Sequence, residues 1–139
     1  MRTFRLAIPK DLPELAKLVE KVNPCGVIPP DLAYLAFQDD QIVAAVGIDL
    51  DRPDMVVLSG GVIHPDFYRR AFLVFRLQES IEDWLLSQGC HAYVFSINRR
   101  NKRMQRWMEK LGAERYAKRD GALWYTRRIG SPASPEASE

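Results

Sequence analysis

The chain "TFRLAI" (residues 3–8) places Phe4, Leu6 and Ile8 on alternate positions, and strict alternation over so short a run predicts a strand. The next segment changes period. In "KDLPELAKLVEKVN" the residues Leu12, Leu15, Leu18, Val19 and Val22 recur at helical spacing, and Pro13 falls in the first turn, where its missing N–H costs nothing. "PCGVIPPD" is rich in turn formers and ends the helix. "LAYLAFQDDQIVAAVGIDL" then reads as two strands turning at Asp39 and Asp40, "DRPD" as a break, and "MVVLSGGVI" as a further strand carrying the pair Gly60-Gly61.

His64-Pro65 closes that strand, and a long helix is predicted over 66–88. Its apolar stripe is read as Phe67, Ala71, Val74, Ile81 and Leu85, interrupted by Gln78 and broadened by Phe72, Phe75 and Trp84. Gly89 stops it. "CHAYVFSI" follows as a strand, and Asn101 caps a short helix, "KRMQRWMEKL", which Gly112 ends. "AERYAKRDGALWYTRRI" is a hairpin turning at Asp120-Gly121. The predicted order is β-α-β-β-β-α-β-α-β-β, a mixed α/β domain over residues 1–129, with a flexible tail of Pro, Ser and Glu over 130–139.

With 139 residues, 47% hydrophobic and 27% charged, the chain has the means to build one core without staples. Cys25 and Cys90 are far apart with no metal-type spacing, so two reduced thiols are expected, with a single bridge left open. No apolar run approaches the roughly eighteen residues of a membrane span, and no signal-peptide pattern opens the chain. The expectation is a protein with no membrane partner that stays in the cytoplasm.

The net charge of +2 conceals a division. Residues 1–98 hold 9 basic and 13 acidic side chains, whereas residues 99–128 hold 11 basic and 3 acidic. A stretch this dense suits phosphates, an acidic protein surface or nucleic acid; it also suits a plain solvated face.

The glycine-paired strand, "VIHP", long helix, strand, "NRRN", helix, "KLGA" and hairpin together resemble the GNAT family, the Gcn5-related N-acetyltransferases. The resemblance implies a mostly antiparallel sheet that splays at its fourth and fifth strands, with acetyl-CoA wedged between them. It further implies that Val62 and Ile63 face the pantetheine arm, and that Arg69, Arg70, Asn98 and Asn101 supply polar contacts to the cofactor.

Two family motifs are altered. The first is an Arg or Gln, two residues, Gly, one residue, then Gly or Ala, which lets backbone N–H groups approach a pyrophosphate at a helix start. Counted from Arg69 the glycine positions hold Phe72 and Val74; from Arg70, Leu73 and Phe75; from Tyr68, Ala71 and Leu73. The second motif carries a tyrosine that protonates the leaving thiolate, and Met108 stands in its place without a transferable proton.

No catalytic residue is therefore assigned. Asp49 and Asp51 are conceivable bases, more simply read as loop carboxylates beside Arg52. His64 is expected to hydrogen-bond locally, His91 has less claim still, and no metal-ligand set is present.

The expectation is a GNAT-fold protein that has lost acetyl-CoA chemistry and binds another protein or itself. The resemblance extends to small phage-borne members, which would place the chain in a virion or host cytoplasm. The alternative is an active N-acetyltransferase with an atypical cofactor loop. Arg99, Arg100, Lys102, Arg103 and Arg106 are the side chains for an acidic surface or nucleic acid.

Overall fold

This computed structural model describes residues 1–22, 32–52, 55–67 and 71–130. Its elements follow the predicted order: β1 (Arg2–Leu6), α1 (Leu12–Val22), β2 (Leu32–Gln38), β3 (Gln41–Arg52), β4 (Met55–Ile63), α2 (Ala71–Ser87), β5 (Ala92–Asn98), α3 (Lys102–Lys110), β6 (Glu114–Arg119) and β7 (Ala122–Arg128). The strands hydrogen-bond in the order β1-β2-β3-β4-β5-β7-β6. Neighbours β1–β2, β2–β3, β5–β7 and β6–β7 are antiparallel, while β4 and β5 are parallel. The predicted loop at 24–31 with Cys25, the dipeptide Pro53-Asp54, residues Tyr68, Arg69 and Arg70, and the tail beyond Gly130 lie outside the described residues. None of the described helices is long and apolar enough to cross a membrane.

Contacts gather into two compact units, the first comprising Met1–Asp49 with Ser59–Trp84 and the second Leu50–Leu58 with Leu85–Glu139. In the first, Leu15, Leu18 and Val19 of α1 pack on Ala33, Leu35 and Phe37 of β2, Ile42 and Ala45 of β3, and Val62 of β4. A fully buried Leu such as Leu15 contributes about 2 kcal/mol by removal from water. Leu12 and Val22, predicted on the same face, end more than a third exposed because they sit at the two ends of the helix.

β1 stops at Leu6, two residues before the predicted end. There the buried carboxylate of Asp11 accepts the Ile8 N–H at 2.9 Å and two guanidinium N–H groups from Arg5 at 2.8 and 3.2 Å, which turns the chain. The Arg5 hydrogen bonds hold the Asp11 carboxyl below its usual range.

Two expectations change. β3 continues through Arg52, so Asp49 and Asp51 lie within a strand and not in a loop after it. The buried stripe of α2 is Leu73, Leu77, Ile81 and Leu85, one residue behind the predicted Val74-Gln78 line in its first half. The reason is that Phe67 belongs to a separate 3-10 turn (Pro65–Phe67), so it does not set the register of the helix. A four-residue ridge of leucine and isoleucine then buries in place of one containing glutamine.

In the second unit the β5–β7 ladder pairs Phe95 with Tyr125 and Ile97 with Leu123, so these residues share one face. The Phe95 and Tyr125 rings stack at 5.6 Å and 9°. Asp120 (φ 53°) and Gly121 (φ 77°) both adopt the left-handed conformation that a two-residue hairpin with the twist of its strands demands. α3 ends as its glycine predicts. Gly112 (φ 97°) donates to the Glu109 carbonyl, and Ala113 N–H reaches back to that of Met108.

Candidate functional site

Two places hold the residues singled out in the sequence, one in each unit. In the first, β4 delivers Val62, Ile63 and His64 to the strand's end. Val62 turns its side chain into the core beside α1, while Ile63 is half-buried. The His64 N–H donates to the Val43 carbonyl at 2.7 Å, which ties the strand end to β3.

The imidazole of His64 is buried, and its Nδ1 accepts the Asp66 N–H at 3.1 Å. Phe67 meets the ring edge-on at 5.9 Å, and its N–H binds the His64 carbonyl. His64 therefore organises the turn after β4, as its position before Pro65 suggested. Arg69 and Arg70 lie outside the described residues.

The opening of α2 is where the family resemblance puts its glycine loop. Leu73, a glycine position in two of the three registers, is completely buried. Phe72 is 74% exposed and lines a shallow groove with Arg2, Phe4, Gln38 and Arg76. Val74 and Phe75 are half-buried. A glycine cradle presents bare backbone, and at these four positions the chain presents side chains. Among the described residues of this helix start none is a glycine.

In the second unit, Asn98 and Asn101 come together in one turn. The Asn98 Oδ1 accepts the Arg100 N–H at 2.9 Å, and the Asn101 Oδ1 accepts the Met104 N–H at 3.1 Å as the N-cap of α3. Both amide oxygens are engaged in shaping the turn. Buried Gln105 reinforces it, donating Nε2 to the carbonyls of Asn98 and Arg99 at 3.2 and 3.0 Å.

Met108, where the resemblance expects a tyrosine, is buried three residues on from Gln105 along α3. Next to it Glu109 accepts a hydrogen bond from the Tyr125 hydroxyl at 2.7 Å. Burial, joined by that carboxylate, pushes the Tyr125 phenol up to about 12. It is a firm hydrogen-bond donor and a poor proton source near neutrality. His91 is exposed, its carbonyl accepting the Ile129 N–H.

Sequence reading missed Gln105, Tyr125 and two cations of the hairpin, Arg115 and Lys118. The register pairs Arg115 with Tyr125 and Lys118 with Leu123, which brings both to the face that α3 covers. There they border an open surface hollow of about 430 Å³ with Arg99, Arg100 and Lys102. Leu123 and Gln105 complete its lining. The available signal was the two-residue turn at Asp120-Gly121, which alone fixes Lys118 opposite Leu123. Among the described residues no group of His, Cys, Asp and Glu side chains could hold a metal ion.

Comparison with solved structures returns the same architecture. The ribosomal-protein-S18-alanine N-acetyltransferase of Escherichia coli superposes with a TM-score of 0.81 at 18% identity, over 97% of this chain and 98% of that one. A probable acetyltransferase from Staphylococcus epidermidis gives 0.76 at 14%, over 94% and 100%. Ard1 from Thermoplasma volcanium gives 0.71 at 12%, over 94% and 99%. At these identities the likeness concerns the fold alone. Curated protein sequences give no match. The acetyltransferase (GNAT) family profile, however, matches residues 6–113, most of the chain and all of its elements from α1 to α3. With that match, the chain belongs to the GNAT acetyltransferase family.

Proposed function

We propose that this chain is a GNAT-fold protein that has lost acetyl-CoA-dependent transfer and serves as a binding or structural module. The observation that carries the reading is the opening of α2. Leu73, which stands where the family's loop needs glycine, is a fully buried core residue. Removing it to expose backbone would open a cavity beneath the helix. Two further features support the reading: Met108 offers no proton for a leaving thiolate, and the nearby Tyr125 phenol is held against Glu109.

A second reading draws on the breadth of the family match, which runs from residue 6 to 113. An active N-acetyltransferase of this fold would move an acetyl group to an amine, as the E. coli neighbour's name states for an alanine. Positioning supplies much of the rate in such a transfer, so loss of one proton donor is survivable.

Thermal melting with acetyl-CoA separates the two. No shift at millimolar ligand is expected. A ligand in hundredfold excess over its Kd would stabilise the fold by about 2.7 kcal/mol, and a saturable shift of that kind would overturn the proposal.

A further inference from the structure

The cavity of the second unit has no part in the reading above and stands independently of it. Its cations come from two separate elements. Arg99 and Arg100 lie on the turn after β5 and Lys102 opens α3, whereas Arg115 and Lys118 project from β6. No carboxylate lines the hollow among the described residues. None of the five forms an ion pair among the described residues, although pairs form elsewhere at Arg5–Asp11 and Arg76–Glu79. Five like charges around one hollow repel one another, and only an anion placed between them turns that repulsion into attraction.

The turn that carries two of the arginines is held in shape beforehand. Gln105 ties down the carbonyls of Asn98 and Arg99, the Asn98 side chain fixes the Arg100 amide, and Asn101 caps the helix. The hollow contains one apolar side chain, Leu123, which is little for a peptide to grip. Beyond it, Arg103, Arg106 and Lys110 are exposed along α3. A single small anion would leave these cations without a partner, whereas an extended one reaches them. Beside Arg115 stands Tyr116, the extra residue of a bulge in β6 and 49% exposed, as a flat surface for stacking.

We infer that the hollow between the start of α3 and β6 is a binding site for single-stranded nucleic acid. Backbone phosphates meet Arg99, Arg100, Lys102, Arg115 and Lys118, and a base stacks on Tyr116. A concave site of this volume takes a nucleotide of a flexible strand, whereas the rigid backbone of a duplex would ride across its rim.

The test is fluorescence anisotropy of a labelled oligothymidylate with the full chain over a salt series. Five phosphate contacts give a log–log slope of roughly −3.5, so a fourfold rise in salt weakens binding about a hundredfold. The double variant Arg115→Gln/Lys118→Gln, at two exposed positions, is expected to melt like the parent. It should bind at least tenfold more weakly, with a slope shallower by about 1.4. Arg76→Gln, in the other unit, is expected to change neither. Tyr116→Ala weakens binding with the slope retained. The inference fails if no binding occurs at low salt or if Arg76→Gln matches the double variant. It fails equally if a duplex binds better than the single strand, or if polyglutamate or coenzyme A displaces the oligonucleotide as well as unlabelled strand does.

Discussion

Tyr125 shows how far one residue's environment reaches. Its ring is wholly buried and stacked on Phe95, while its hydroxyl ends on the carboxylate of Glu109. The neutral phenol is favoured in the folded chain, so its pKa rises from 10.0 to about 12. The sign follows directly. Below pH 10 the phenol is protonated in both states and its contribution is fully present. Between pH 10 and 12 the unfolded chain loses the proton first, and stability falls as pH rises. Ultraviolet titration of tyrosinate should show one tyrosine ionising near the upper end of that window. In Tyr125→Phe that step is absent, at a cost of about 1 kcal/mol for the lost hydrogen bond. A step that persists in the variant would assign the late ionisation elsewhere.

At the scale of elements, α2 makes the sharpest distinction. Adjacent residues Phe72 and Leu73 are both large and apolar, and the structure treats them oppositely, at 74% and 0% exposure. Leu73→Ala should therefore cost about 3 kcal/mol in urea unfolding, whereas Phe72→Ala stays within about 0.5 kcal/mol. Equal effects would mean that the first turn of the helix packs by another face.

Here the limits of the sequence are concrete. Strand and helix order, both hairpin turns and the α3 caps were legible, because local periodicity and turn chemistry decide them. The register of α2 was not, since Phe67 extends the apolar pattern into a turn that the helix does not include. Nor was the end of β3, where Asp and Arg favour a loop and the strand nevertheless runs on through Arg52. Of the candidate site, Asn98 and Asn101 were singled out as cofactor contacts, and what the structure shows is both side-chain oxygens shaping a turn. Gln105 gave no signal, because its value lies in two carbonyls that only the folded turn presents.

Over the whole molecule, charge is divided along the sequence: 11 of the 20 basic residues fall in 99–128, against 3 of the 18 acidic ones. Net charge is thus a poor guide to behaviour near polyanions. Just above its isoelectric point the chain should still be retained on a sulfonated column, because the resin meets the basic stretch before the average. Arg115→Gln/Lys118→Gln should elute at clearly lower salt than a double change of the same charge in the other unit, such as Arg2→Gln/Arg76→Gln. Matched elution of the two variants would show that the division has no electrostatic reach.

The hairpin strand β6 ends the strand order, so among the described residues one side of its backbone has no neighbouring strand. An open rim of this kind invites a stranger's strand to continue the ladder, the first step of fibril growth. β6 discourages such a guest with a bulge, which breaks the repeat that the guest would need to match, and with Glu114, Arg115, Lys118 and Arg119, whose charges a dry seam could not hold. Those guards include two cations of the hollow. A polyanion that neutralised them, or a substitution that removed them, would also lower the barrier to self-templated stacking at that rim.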